Sequence, residues 1–165
     1  MSRNIMLIPI GTGVGLTSLS LGMVRALERH GVKVQFFKPI SQLRPNDNGP
    51  ERSTTILSKS PTVNPLEPFD MAHAEALIRA DQTDVLMEQI IARASDCASN
   101  TETLIVEGLV PTRNHPFADD VNYAIAKAMD ADVIFIATPG SDTSTGLMNR
   151  LEIAYNSWGG KRTNA

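Results

Sequence analysis

The sequence has almost no cysteine: Cys97 stands alone, so no internal disulfide is available, and it falls in a helical pattern rather than at any metal-ligand spacing. That usage fits a reducing compartment, and a cytoplasmic location is expected. Positive charge is also short. Fifteen Lys and Arg against eighteen Asp and Glu leave a net charge of -3, which argues against nucleic acid or an anionic membrane as a partner. Long apolar runs are missing as well, since nothing approaches the ~18 residues needed to span a bilayer. Met1-Ser2-Arg3-Asn4 leads into only Ile5 to Ile10 before glycines begin, which reads as a strand and not a signal peptide. The three histidines, His30, His73 and His115, lack partners at ligand spacing and are expected on the surface.

What is present suffices for one core. A chain of 165 residues with 42% hydrophobic content is the size of one domain, taken as residues 1–165. Ile5 to Ile10 is a continuous apolar run bounded by glycines, as expected of a strand buried on both faces. Leu16, Leu19, Met23, Val24 and Leu27 then recur at helical spacing, with Gly31 ending the helix. Val32, Val34, Phe36 and Phe37 rebuild a strand that stops at Lys38-Pro39.

Six of the ten prolines lie between Pro39 and Phe69, together with Asn46-Asp47-Asn48-Gly49, so this stretch is expected to be mainly irregular, with one short helix around Thr54 to Leu57. Helices are predicted over Met71–Ala80 and Asp84–Ala98, with Asp81 as the cap between them. A strand over Thr103–Val106 ends at Glu107-Gly108. A helix over Ala118–Met129 and a strand over Val133–Ala137 follow. The last helix, Thr145 to Trp158, is predicted to bury Leu147, Leu151, Ala154, Tyr155 and Trp158, with Gly159-Gly160 closing it.

Strand and helix alternate, and such crossovers are right-handed, so the expected fold is α/β: a doubly wound, mostly parallel sheet with helices on both faces. The pattern stops at a capped helix where another strand is due, which points to a longer protein. In open parallel sheets the binding crevice lies beyond the carboxyl ends of the strands. The loops to inspect are therefore Gly11–Thr17, Lys38–Gln42, Glu107–His115 and Thr138–Thr145.

Gly11-Thr12-Gly13-Val14-Gly15-Leu16-Thr17 has the ingredients of a phosphate cradle: glycines let backbone amides converge, and the following helix offers its positive end. It departs from G-x-x-x-x-G-K-[ST] in two ways, with Leu16 in place of the lysine and a shorter span between the outer glycines. Anion binding and an ordinary strand-to-helix turn both remain open. Thr17 offers either a hydroxyl to Mg²⁺ or a local hydrogen bond in a first helical turn. Lys38 either pairs with a phosphate or carboxylate or extends to solvent. Glu107, at the end of the run Thr103-Leu104-Ile105-Val106, must be paired, hydrated or metal-bound to offset desolvation. The readings there are a metal shell and a salt bridge to Lys38 or Arg113.

Several strings carry a resemblance: Ile5-Met6-Leu7-Ile8-Pro9 to Gly11-Thr12, Val14 to Ser18, Phe37-Lys38-Pro39-Ile40, Val106 to Arg113, Asp84 to Glu88, Asn122 to Lys127 and Asn156 to Gly160. Together they span essentially the whole chain, which resembles the N-terminal domain of the long form of bacterial phosphate acetyltransferase. That resemblance implies a P-loop NTPase-like, three-layer α/β/α sandwich similar to dethiobiotin synthetase. The family transfers acetyl between coenzyme A and phosphate in a C-terminal catalytic domain that is absent here, and its N-terminal domain supports assembly and metabolite regulation.

In the synthetase relatives the glycine loop holds ATP phosphates, a lysine of a Lys-Pro motif faces the substrate, and a glutamate of a Glu-Gly motif helps hold Mg²⁺. Gly11 to Thr17, Lys38 and Glu107 match those places, so Thr17 and Glu107 are the implied metal contacts if nucleotide and Mg²⁺ bind; no other metal site is expected. The implied partners are a C-terminal catalytic domain, further copies in a homo-oligomer, and a small-molecule effector, a nucleotide or metabolite, with no firmly expected cofactor. Without the lysine, a transferring phosphoryl group loses a main stabiliser. The expected role is thus a regulatory and assembly domain without catalysis of its own. The alternatives are an ATP-dependent ligase with Lys38 as substitute cation, and a plain interaction module.

Overall fold

The computed structural model describes residues 2–43, 49–140 and 143–159. Its elements alternate as the sequence pattern predicts: β1 (Arg3–Pro9), α1 (Leu16–Arg29), β2 (Val34–Phe37), α2 (Arg52–Leu57), α3 (Met71–Arg79), α4 (Thr83–Cys97), β3 (Thr103–Glu107), α5 (Ala118–Ala128), β4 (Asp132–Ile136) and α6 (Ser144–Ser157). The sheet is four-stranded and all parallel, in the order β2-β3-β1-β4. β1 is central because its apolar run serves both faces. Met6, Leu7 and Ile8 have no solvent exposure. Asn46 to Asn48, Ser141, Asp142 and Gly160, which the sequence places in turns, loops and a helix end, lie outside the described residues.

Alternation along the strands splits the core into two layers. Leu7, Val34, Phe36, Ile105 and Ile136 face α1 and α2, where Leu16, Val24 and Leu57 pack against them. Met6, Ile8, Phe37, Leu104 and Val106 face α3, α4 and α5, meeting Ala74, Leu86, Ile90, Val121 and Ile125. Helices on both faces of a parallel sheet make this a three-layer α/β fold.

Three sequence expectations change. Asp81 does not cap α4; it has φ 57° and donates its amide to Ile78 O, so it ends α3 in the left-handed conformation that glycine usually supplies. Leu19 does not belong to the buried stripe of α1. It is exposed, while Ser20, one residue on, is fully buried. The largest correction is α6. Leu147, Leu151, Ala154 and Tyr155 are only half-buried, and Trp158, at its C-cap, is the buried residue of the predicted set. Trp158 meets Tyr123 of α5 and Phe135 of β4 edge-on, with centroids 5.4 and 5.5 Å away. The helix is therefore held to the sheet by Trp158 at its end and by Arg150 in its middle, which donates to Thr138 O and Ile10 O.

Candidate functional site

The carboxyl ends of β1, β2 and β3 converge on a cleft of about 200 Å³. One wall is Gly13 to Ser18, the turn into α1. Opposite it stand Glu51, Arg52 and Ser53 at the start of α2, and Lys38, Gln42, Glu107 and Val110 form the floor and side. Gly11, Gly13 and Gly15 all have positive φ, at 105°, 70° and 77°, so the turn needs residues without a Cβ at three alternate positions. Gly15 is the N-cap of α1 and offers no side chain, which leaves the first amides of that helix to the cleft.

The floor is a polar cluster closed on itself. Glu107, 2% exposed, lies 3.1 Å from the Lys38 ammonium, which is 3% exposed and also donates to Gly108 O at 2.8 Å. Ser53 donates to the same Glu107 oxygen at 2.7 Å, and Ser20 donates to the other at 2.8 Å. Thr17 and Ser53 share a hydroxyl–hydroxyl bond of 2.8 Å. One carboxylate thus ties together the ends of β2 and β3, α1 and α2. A buried charge demands this degree of satisfaction, because desolvation costs several kcal/mol per ion before partners offset it.

Two carboxamides fix the loop after β3. Asn122 of α5 pairs with both backbone groups of Leu109, at 2.8 and 2.9 Å. Gln42 does the same for Val110, at 2.7 and 2.8 Å. Gly108, between Glu107 and these clamps, lies where a Cβ would come within 2.9 Å of Asn122 Oδ1 and 3.0 Å of Leu7 O. On the other side of the cleft Glu51 caps α2, accepting from the amides of Ser53 and Thr54 at 3.1 and 2.7 Å.

The predicted residues therefore divide. Gly13, Val14, Gly15, Leu16, Thr17, Lys38 and Glu107 come together around the cleft. Of the partners considered for Glu107, Lys38 is the one in contact; Arg113 is exposed and lies outside the lining, as does exposed Thr12. Gly11 turns toward a second hollow with Pro9, Ile10, Pro111, Asp119 and Arg150. There Arg150 of α6 donates to Thr138 O at 2.8 Å and reaches Ile10 O at 3.5 Å. Burial, and then repulsion from Asp120, pushes the Asp119 carboxyl above its usual range. His115, expected on the surface, is half-buried, with Nδ1 3.3 Å from Gln42 Nε2 and 3.1 Å from Thr112 Oγ1.

Sequence reasoning missed Ser20, Ser53, Glu51 and Arg52. Ser20 had a usable signal: it lies on the stripe Leu16, Ser20, Val24, Leu27, and a lone hydroxyl on a buried face requires a partner. Ser53 and its neighbours had none, because α2 sits in a proline-rich stretch whose placement depends on tertiary contacts.

Chemically, the cleft offers an anion the amides at the start of α1 and the exposed guanidinium of Arg52. It does not offer a free Lys38, whose charge is matched by Glu107. Among the described residues no group of three or more His, Cys, Asp or Glu comes together as a metal cluster. Cys97, 7% exposed, has its thiol pushed up by burial, which keeps it protonated and poorly nucleophilic near neutral pH. No described helix is long and apolar enough to cross a membrane.

Known proteins resemble this chain in sequence and in fold. Phosphate acetyltransferase of Salmonella typhimurium is 49% identical over 165 residues, covering 99% of this chain and 23% of its own length. The Haemophilus influenzae phosphate acetyltransferase is 45% identical over 161 residues, with 98% and 23% covered. The chain thus spans under a quarter of the length of these relatives. Among solved structures, the signal recognition particle receptor FtsY from Elizabethkingia anophelis superimposes with a TM-score of 0.64 at 14% identity, over 96% of this chain and 47% of its own. The chimerical protein CapA2B2 gives 0.61 at 11% identity, over 97% and 73%. These two likenesses speak for the fold, a P-loop NTPase-like three-layer sheet. A family model described as an AAA domain matches residues 3–160, and the chain belongs to that family, in the form found as the N-terminal domain of long bacterial phosphate acetyltransferases.

Proposed function

We propose that this chain is a regulatory and assembly domain of a phosphate acetyltransferase, keeping the P-loop scaffold without phosphoryl-transfer chemistry of its own. The carrying observation is the state of Glu107. A carboxylate that is to hold Mg²⁺ needs lone pairs facing the phosphates, whereas Ser53 and Lys38 share one Glu107 oxygen and Ser20 takes one site on the other, which leaves about one of its four acceptor sites. Leu16 occupies the place of the P-loop lysine and is buried, so the cation that would stabilise a terminal phosphate is absent from the loop. The parent reaction, acetyl transfer between coenzyme A and phosphate, belongs on this reading to the remainder of a longer protein, and this chain contributes subunit contacts and an effector site. A cytoplasmic setting and a homo-oligomeric parent complete the proposal.

The cleft sets the effector's character. About 200 Å³ is below the ~300–1,000 Å³ typical of sites that enclose drug-sized ligands. Amides at the head of α1 and the Arg52 guanidinium favour a small anion or the phosphate end of a nucleotide. Titration with inorganic phosphate, ATP and ADP, with and without Mg²⁺, tests this together with an ATPase assay and an acetyl phosphate assay. The expected result is anion binding that does not require Mg²⁺, with no turnover in either assay. Mg²⁺-dependent ATP hydrolysis lost in Thr17→Ala would overturn it in favour of the ligase reading. Absence of any anion binding would reduce the chain to an interaction module.

A further inference from the structure

Two amides lie side by side in the loop after β3, each held by a side-chain carboxamide. Leu109 N donates to Asn122 Oδ1 at 2.8 Å and Val110 N to Gln42 Oε1 at 2.7 Å, and each carboxamide returns an N–H to the carbonyl of the same residue. The two clamps differ in what stands behind them. Asn122 is fully buried and bonds Leu109 alone, whereas Gln42 Nε2 also lies 3.3 Å from Nδ1 of half-buried His115.

These bonds fix where the protons point. Because Oε1 of Gln42 accepts the Val110 amide, the other end of that carboxamide is its NH2, with one hydrogen on Val110 O and the second turned to the ring. Nδ1 must then accept, which places the ring proton on Nε2. Thr112 Oγ1, 3.1 Å from Nδ1, accepts the His115 amide at 3.2 Å, and its hydroxyl can turn to donate to Nδ1 or to accept from it. Gln42 has no such freedom. If Nδ1 gains a proton and the carboxamide keeps its orientation, two N–H groups face each other across 3.3 Å, and Gln42 must draw back with its Oε1. If the carboxamide turns over to offer Oε1 to the ring, its NH2 meets the Val110 amide. Val110 loses its acceptor in both cases.

The surrounding charges do not hold the ring. Asp70, across a hollow shared with His115, Ser41 and Met71, is exposed, as are Arg113 in the ring's own loop and Asp119 and Asp120 in the first turn of α5. Among the described residues none of these four is hydrogen-bonded or ion-paired to His115. On the cleft side of Gln42, Lys38 and Glu107 are matched to each other, Glu51 is spent on the head of α2, and Arg52 is exposed. Phe117 meets the ring edge-on at 5.9 Å and carries no charge.

We propose that His115 is a proton-operated latch on the cleft: neutral, it holds Gln42 on Val110, and protonated, it releases that clamp. Gln42 and Val110 both line the cleft, so acid loosens that side of it. The latch stands on these bonds alone, while its use, proton control of the effector site, rests on the function proposed above.

Hydrogen exchange at Val110 and Leu109, corrected for the intrinsic effect of pH, tests the latch between about pH 7.5 and about pH 5.5, across the ordinary histidine range. The expected result is Val110 protection at least about tenfold lower at the acid end, with Leu109 unchanged. His115→Asn offers a carboxamide oxygen near the place of Nδ1 and does not titrate, so it should keep Val110 protected at both. Equal change at the two amides, or none at either, overturns the latch, and this comparison needs no variant to fold. So does an acid loss at Val110 that persists in His115→Asn. Sulfate, whose charge is constant over this range, tests the use. Calorimetric titration should find it bound about fivefold more weakly at the acid end, the lower end of ordinary coupling between sites, and equally at both in His115→Asn. Binding that tightens in acid, or ignores pH, overturns proton control. No sulfate binding at either pH sinks the effector reading of the cleft and leaves the latch decided by exchange.

Discussion

The two sides of this sheet are finished differently. Around β2 and β3 the polar groups are inside and satisfied: Lys38 and Glu107 are almost wholly buried, and each has more than one partner. Around β4 the reverse holds, with apolar side chains outside and a helix anchored through Trp158 and Arg150. In a closed polar cluster each buried partner depends on the others, so losing one alone is costly, whereas an open apolar edge holds little stability. Substitutions on the two sides should therefore differ sharply in cost.

The largest effect is expected at the ion pair. Lys38→Met leaves Glu107 buried without its cation, and breaking a buried pair on one side costs about 3–5 kcal/mol. Urea denaturation should show that loss as a lowered midpoint at unchanged slope. Lys38→Met combined with Glu107→Leu should recover much of it, because no uncompensated charge then remains. A single variant that unfolds at the wild-type midpoint would mean that the node is not the anchor of this side.

Gly108→Ala comes next. Its Cβ would meet Leu7 O, a backbone atom of the central strand, at 3.0 Å, as well as the clamp of Asn122. Overpacking of this kind costs about 1–3 kcal/mol. The same denaturation series measures it, and the loss should shrink in Asn122→Ala, where the nearest of the three obstacles is gone. Glu51→Ala is smaller, at about 1 kcal/mol, the usual cost of removing an N-cap side chain. It should also loosen α2 and with it Ser53, so faster exchange at the Thr54 and Thr55 amides is the accompanying signature.

The same contrast explains what was legible in the sequence. Strands such as Ile5 to Ile10 and Thr103 to Val106 were plain because burial on both faces writes a continuous apolar run. Glu107 was plain because a charge at the end of such a run must have a partner, and Lys38 was one of two candidates named for it. The choice between Lys38 and Arg113 was not legible, since it depends on how the ends of β2 and β3 align across the sheet. Ser53 was hidden for a similar reason, because it reaches Glu107 across 54 positions of chain. α6 was misjudged in the opposite direction. Its apolar spacing predicts a buried stripe, and the spacing is correct, but a stripe is buried only if something lies under it, and outside β4 the described residues offer nothing.

The smallest expected effect is at that edge. Met148→Glu and Ile153→Glu place charges on side chains already 63% and 68% exposed, so each should change stability by no more than about 0.5 kcal/mol. A bland result here is informative because position alone predicts otherwise. Both are large apolar residues in a 14-residue helix of an α/β sheet, and their counterparts in α4 and α5, such as Ile90 and Ile125, are essentially unexposed. Truncating those two to Ala should cost about 2–5 kcal/mol each. If Met148→Glu or Ile153→Glu proves as costly in the isolated chain, α6 is packed in solution and the two sides of the sheet are alike. If they are neutral while Ile90→Ala and Ile125→Ala are not, α6 contributes a surface rather than a core, and stability in this chain resides from β1 to β2.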